Sequence, residues 1–187
     1  MGKVSALDRE TIILLIQFLW KKKQYKHVTF NTAVHILDRY LYQLSLCDAP
    51  VPGQTILATA SLLLAAKIEQ SIVPSFSITI GQLPSQLQKH ISKKDLINVE
   101  FDIVQRLEFS VRAVCPVFMI ERQIKLLGLQ SKQTLIVPIC EQILRMALLK
   151  VDLSLGVRKA DLALAVLNLA LNILVEPTLC QAIKAEV

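Results

Sequence analysis

Hydrophobic residues recur along most of this chain at the three- and four-residue spacing of an amphipathic helix. One such stripe predicts a helix that ends at Lys21–Lys23, and a second predicts a helix with Thr29 as its N-cap. Pro116 at the first turn and Gly128 just past the end bound a third. Their stripes are Ile12, Leu15, Ile16 and Leu19, then Val34, Leu37, Leu41 and Leu44, then Val117, Ile120, Ile124 and Leu127.

The stretch from Thr55 to Gln70 is different, because apolar residues point to every side of the predicted helix. A helix without a polar face belongs in the middle of a domain. A second helix of this kind is predicted at Arg158–Leu174, and each follows a pair of amphipathic helices. This order indicates an imperfect internal repeat whose second copy is short.

Further helices are predicted around Ser85–His90, after Ser92, and over Gln133–Val151 with Pro138 near its start or at a kink. The chain is rich in Leu, Ile and Ala and has only five glycines, which favours helices over strands. We therefore predict an all-α protein of two parts, residues 1–112 and 113–187.

Three charged residues occupy positions at which the helical spacing of hydrophobic residues predicts apolar side chains. Asp38 lies about 40° from Val34 on its helix, and an unpaired carboxylate there would cost several kcal/mol, so a partner is expected. Lys67 ends the apolar helix, and Glu100 follows Leu96 by four residues on an otherwise apolar stripe.

Motifs for catalysis or cofactor binding are absent from the sequence. The glycines are isolated, so no phosphate loop is formed, and the three histidines have no metal-ligand spacing. The four cysteines are far apart and contain no CxxC, which is typical of reduced thiols without a disulfide partner in an intracellular protein. We expect a binding module and not an enzyme, with no cofactor or metal, located in the nucleus, the cytoplasm or both.

The net charge of the chain and the length of its apolar runs indicate which kinds of partner the protein can bind. The net charge of +6 suits an acidic partner or nucleic acid, although the one dense basic run, Lys21–Lys23 with Lys26, is equally typical of a solvated helix end. The apolar run at 56–66 is too short to span a bilayer, and Asn168 and Asn172 interrupt the later one. We expect no membrane association, and we favour a protein partner over nucleic acid.

Three segments in order resemble the cyclin box: NTAVHILDRYL, LATASLLLAAKIEQ and SKKDLINVEFDIVQRLEF. The family's pattern reads AVxxxDRFL, then LAAKxEE, then KKxxxxxExxxLxxLxF, and the match covers residues 9–110. Residues 115–174 resemble the start of a second, more variable cyclin box. The resemblance implies a cyclin fold, a five-helix bundle around a central buried helix, followed by a truncated second helical repeat.

The resemblance also implies a function and a site. A protein of this family binds a cyclin-dependent protein kinase and activates it allosterically, and its Lys and Glu at the positions of Lys67 and Glu100 face the kinase. Ile68, Phe101 and Val104 complete the expected kinase-binding set. The family also pairs Arg9 with Asp38 between the first two helices, which supplies the partner that Asp38 requires.

Other interpretations stay open beside this one. Lys67 is also suited to the negative end of a helix dipole, Glu100 could pair with Lys93 or Lys94, and Phe101 and Val104 could pack in the core. Leu15 stands where the family has the Trp of its substrate-docking groove, and Gln70 replaces the second acid of LAAKxEE. Alternative functions are a cyclin-fold scaffold subunit that activates no kinase, and an adaptor like transcription factor IIB that touches nucleic acid.

Overall fold

The computed structural model describes residues 6–71, 81, 85–88, 91–112 and 114–174, and the regular structure within them is entirely helical. This confirms the predicted all-α class. The helices are α1 (Ala6–Lys23), α2 (His27–Leu46), α3 (Gln54–Glu69), α4 (Ser85–Gln88), α5 (Lys93–Arg106), α6 (Pro116–Leu126), α7 (Gln133–Leu149), α8 (Val151–Leu155) and α9 (Lys159–Ile173), with a 3₁₀ turn at Gln130–Lys132 before α7.

The chain divides into two compact units, Met1–Ala113 and Val114–Val187. In the first unit α3 is the central element and packs against α1, α2 and α5. Ten consecutive residues of α3, from Leu57 to Ala66, are buried. Four of them are Ala58, Ala60, Ala65 and Ala66, whose small side chains let the neighbouring backbones approach at interior packing density.

Hydrogen bonds fix the carboxyl end of α3 against the start of α2. The Thr32 hydroxyl donates to Glu69 Oε1 at 3.0 Å, and the side-chain amide of Gln70 donates to the Thr29 hydroxyl. The prediction of Thr29 as an N-cap is therefore wrong: α2 begins at His27, and the buried Thr29 hydroxyl serves a contact between helices. Gln70 can donate this bond, whereas the glutamate of the family pattern, when ionised, can only accept.

The start of α5 follows the sequence pattern closely. The Ser92 side chain accepts a hydrogen bond from the backbone N–H of Asp95 at 3.0 Å, which satisfies a free donor in the first turn of the helix. The buried face of α5 carries Leu96, Ile103 and Leu107. This cap and this face set the rotation of α5 and hence the direction of Glu100.

In the second unit, α6, α7 and α9 pack on one another. Pro138 lies inside α7, and the helix ends at Leu149 instead of Val151 because Lys150 adopts an extended backbone before α8. The apolar character of α9 does not lead to burial on every side, since Leu169 and Ile173 are exposed. No helix in the described ranges is both long and apolar enough to cross a membrane.

Candidate functional site

An ion pair links the end of α3 to the middle of α5. Lys67 Nζ lies 2.8 Å from each carboxylate oxygen of Glu100. The Lys67 side chain is 41% exposed and that of Glu100 is 12% exposed, so the pair sits where the core meets the surface. Within the described residues Glu100 bonds to Lys67 and makes no bond to Lys93 or Lys94. The alternative ion pair inside α5 is therefore not formed.

Apolar residues next to Lys67 and Glu100 in the sequence are partly or largely exposed. Phe101 follows Glu100 directly and is 61% exposed, so it does not pack in the core. Val104 and Ile68 are half-buried at the edge of the same surface. A charged pair bordered by exposed apolar groups is typical of a surface that binds another protein.

Two further exposed apolar residues, one on α5 and one just past its end, were not among the residues expected at this site. Ile97 is exposed one turn before Phe101 on α5, and Phe109, just past the end of α5, is 72% exposed. The sequence does indicate Ile97, because its spacing places it on the same helix face as Phe101 and Val104. It also indicates Phe109, which is the Phe that ends the motif KKxxxxxExxxLxxLxF. We call Lys67, Glu100, Ile97, Phe101 and Phe109, with Ile68 and Val104 at its edge, the α3–α5 surface.

The backbone at Phe109 is held in a conformation that side chains rarely adopt. Glu108 and Phe109 both have positive φ angles, 51° and 60°. The N–H of Phe109 donates to the Val104 carbonyl at 2.9 Å and that of Glu108 to the Gln105 carbonyl at 3.0 Å, which is the Schellman arrangement. The first of these positions usually holds glycine, so the turn stores strain while it presents an exposed aromatic ring.

A polar cluster beside this turn joins α2 to α5. The Tyr40 hydroxyl donates to Asp102 Oδ2, and Arg106 Nε lies 2.9 Å from the same oxygen. Arg39 donates to the Ser110 carbonyl, next to Phe109. The pKa of Tyr40 is raised, first by burial and then by its bond to the Asp102 carboxylate. Tyr40 therefore stays a neutral donor at physiological pH.

Arg9 and Asp38 form a buried pair between α1 and α2. Arg9 Nε lies 2.7 Å from Asp38 Oδ1, and the guanidinium nitrogen Nη2 of Arg9 lies 2.9 Å from Asp38 Oδ2. Both residues are 4% exposed. This two-bond arrangement supplies the partner that the buried carboxylate needs, and it links α1 to α2 inside the fold.

The α3–α5 surface combines an ion pair with exposed apolar side chains. Across the described residues no three His, Cys, Asp or Glu side chains come together in a way that could hold a metal ion. The charged groups at the α3–α5 surface can form hydrogen bonds to a partner, and the exposed rings can enter apolar pockets.

Comparison with known proteins agrees with this architecture. The family model described as "Cyclin, N-terminal domain" matches residues 3–112, a range that includes the α3–α5 surface and the Arg9–Asp38 pair. The X-ray structure of a viral cyclin from herpesvirus saimiri is similar to this chain, with a TM-score of 0.76 and 18% identity. The alignment covers 91% of this chain and 71% of that chain, and at this identity it is evidence for the fold. No curated protein matches.

Proposed function

Because the chain belongs to the cyclin family, we propose that it is a regulatory subunit that binds a cyclin-dependent protein kinase and activates it allosterically. The observation that carries the proposal is the Lys67–Glu100 pair, an ion pair at the edge of the core, bordered by exposed apolar side chains. Family members are non-enzymatic subunits, and in this role the chain contributes no catalytic group.

The pair is suited to contact a helix and its flanking backbone in the kinase. The Lys67 ammonium has three N–H donors and directs two bonds at Glu100, so one donor is left for a carbonyl of the partner. Glu100 has lone pairs to accept from a partner N–H or cation. Once the apolar rim excludes water, both bonds become stronger than they would be on an open surface.

The apolar residues provide the area of contact. Ile97, Phe101 and Phe109 are exposed large side chains, and aromatic residues of this kind commonly anchor protein interfaces. By resemblance to the family, this surface presses the C-helix of the kinase inward, which completes the catalytic Lys–Glu ion pair and frees the activation loop. The helices packed around α3 would hold this surface in place against the kinase.

We place this complex inside the cell, in the nucleus, the cytoplasm or both, since its partner kinase would be found there. The proposal requires no cofactor or metal in this chain. Arg9 and Asp38 act only through the stability of the fold, because both are buried.

The proposal is tested with a panel of purified cyclin-dependent kinases from the source organism. Each kinase is titrated with the protein, and its rate of phosphorylation of a peptide substrate is measured. We expect at least one kinase to be bound and strongly stimulated. A kinase that binds without stimulation supports the scaffold function instead. Binding of no kinase, together with affinity for DNA or RNA that falls steeply with salt, supports the adaptor.

A further inference from the structure

Arg39 on α2 bonds to the backbone of the segment that follows α5. Its guanidinium nitrogen Nη1 donates to the carbonyl of Ser110, a residue 71 positions further along the chain. In the part of the chain that the structure describes, Arg39 forms no ion pair with a carboxylate. Asp38, the residue before it, lies about 100° away around α2 and bonds to Arg9 instead. The charged side chain of Arg39 therefore fixes a stretch of backbone in place.

The helix that carries Arg39 is itself fixed against α5. Tyr40, the next residue on α2, is 1% exposed, and its hydroxyl donates to Asp102 on α5. Asp102 also pairs with Arg106 in its own helix. Because these contacts set α2 against α5, the Arg39 guanidinium meets the end of α5 from a defined direction.

The turn that Arg39 contacts is strained and carries an exposed ring. Glu108 and Phe109 have φ angles of 51° and 60°, which side chains rarely adopt. Phe109 is 72% exposed, so packing does little to orient its ring. The direction of the ring depends on the backbone around it. That backbone is held by the bond from the Phe109 N–H to the Val104 carbonyl and by the bond from Arg39 to the Ser110 carbonyl.

We propose that Arg39 is a positioning residue of the α3–α5 surface, which holds this turn so that the Phe109 ring meets the partner in one orientation. The inference rests on the proposed function, because the partner is the kinase bound at that surface. Arg39 acts through Phe109 and not through its own contact with the kinase. A ring that is oriented before binding loses less conformational freedom in the complex, which increases the affinity.

Two simpler roles for Arg39 lead to different expectations. If Arg39 supplied only positive charge, a neighbouring arginine would serve equally well, and Arg112 is exposed two residues beyond Ser110. If Arg39 only stabilised the fold, its loss would increase hydrogen exchange in the central helix α3 as well as in the turn.

The first measurement requires no partner. Amide hydrogen exchange is followed by NMR in the full chain, in Arg39→Gln and in the matched control Arg112→Gln, which removes an equal charge. We expect the amides of Phe109 and Ser110 to exchange about tenfold faster in Arg39→Gln, because the turn opens more often. The amides of α3 should exchange as in the wild type, and the control should change none of these rates.

The second measurement is the affinity for the kinase that the wild type stimulates. We expect Arg39→Gln to bind about tenfold more weakly than the wild type, and Arg112→Gln to bind equally well. Phe109→Ala should lose at least as much affinity as Arg39→Gln. Because Arg39 acts through Phe109, the double variant Arg39→Gln/Phe109→Ala should bind no more weakly than Phe109→Ala alone.

Unchanged exchange at Phe109 and Ser110 in Arg39→Gln would overturn the inference, whether or not a kinase binds. Losses of affinity that add in the double variant would overturn it too, since Arg39 would then act independently of the ring. Faster exchange throughout α3, or equal effects in Arg112→Gln, would leave only a structural or a charge role. A wild type that binds no kinase contradicts the proposed function, and the exchange rates then decide by themselves whether Arg39 holds the turn.

Discussion

Lys67 and Glu100, separated by 33 residues in the chain, lie in contact through two hydrogen bonds of 2.8 Å. A partly exposed pair of this kind contributes less than about 1 kcal/mol to stability. Its value to the protein therefore lies in orientation, because each side chain holds the other in place at the edge of the apolar rim. In the proposed complex with a kinase, both charges would be positioned before binding, which would reduce the entropy lost on binding.

Removing one member of the Arg9–Asp38 pair should destabilise the fold severely. Arg9→Met leaves the Asp38 carboxylate buried without its two donors, and Asp38→Leu leaves a buried guanidinium. We expect each single variant to lower the free energy of unfolding by about 3–5 kcal/mol. Urea denaturation followed by circular dichroism measures the change.

The matched control for that pair is the double variant Arg9→Met/Asp38→Leu. The two apolar side chains leave no buried charge, so we expect most of the lost stability to return. A double variant as unstable as the sum of the singles would show that packing at these positions, and not charge compensation, determines their effect.

Glycine at position 108 should stabilise the protein. Glu108 has a φ of 51°, a region where a side chain is strained and glycine is not. We expect Glu108→Gly to raise the free energy of unfolding by up to about 1 kcal/mol, and Glu108→Ala, which keeps the Cβ, to give no such gain. Thermal melts of the two variants distinguish a conformational effect from loss of the carboxylate.

The cysteines should differ sharply in reactivity. Burial, together with the nearby charge of Glu141, raises the pKa of the Cys140 thiol to about 12. Because the thiolate is the reactive form, Cys140 should resist iodoacetamide from pH 7 to pH 10, while Cys47 should be modified because it is exposed. Peptide mass spectrometry measures the rate of alkylation at Cys47 and at Cys140. Equal rates in the native protein would contradict this assignment, and equal rates in urea are expected.

The centre of the fold is predictable because its signal is local. An apolar run without a polar face has few placements other than the middle of a bundle, and α3 occupies that place. The same reasoning is less successful for α9, since its apolar sequence is alike but Leu169 and Ile173 remain exposed. Hydrophobicity predicts which side chains can be buried, while the neighbouring helices determine which of them are.

The candidate site depends on contacts that local patterns do not contain. The sequence marks Lys67 and Glu100 as misplaced charges, and the family's pattern places them on one surface, but their bond requires the packing of α5 on α3. Thr29 illustrates the same limit, because its capping propensity is overridden by the hydrogen bond from Gln70. Phe109 is exposed through a turn that two non-glycine residues form, contrary to their preference.

The most direct test exchanges the charges of the central pair in the double variant Lys67→Glu/Glu100→Lys. The two side chains can still attract each other, so the free energy of unfolding should stay within about 1 kcal/mol of the wild-type value. A matched control, Arg158→Asp/Asp161→Arg, exchanges an exposed ion pair in the second unit.

The measurement is the affinity for the kinase that the wild type stimulates, together with the extent of its activation. We expect the double variant to lose at least about thirtyfold in affinity, since the kinase now meets reversed charges, and the control to match the wild type. A folded double variant that binds and activates this kinase as well as the wild type would contradict the central claim.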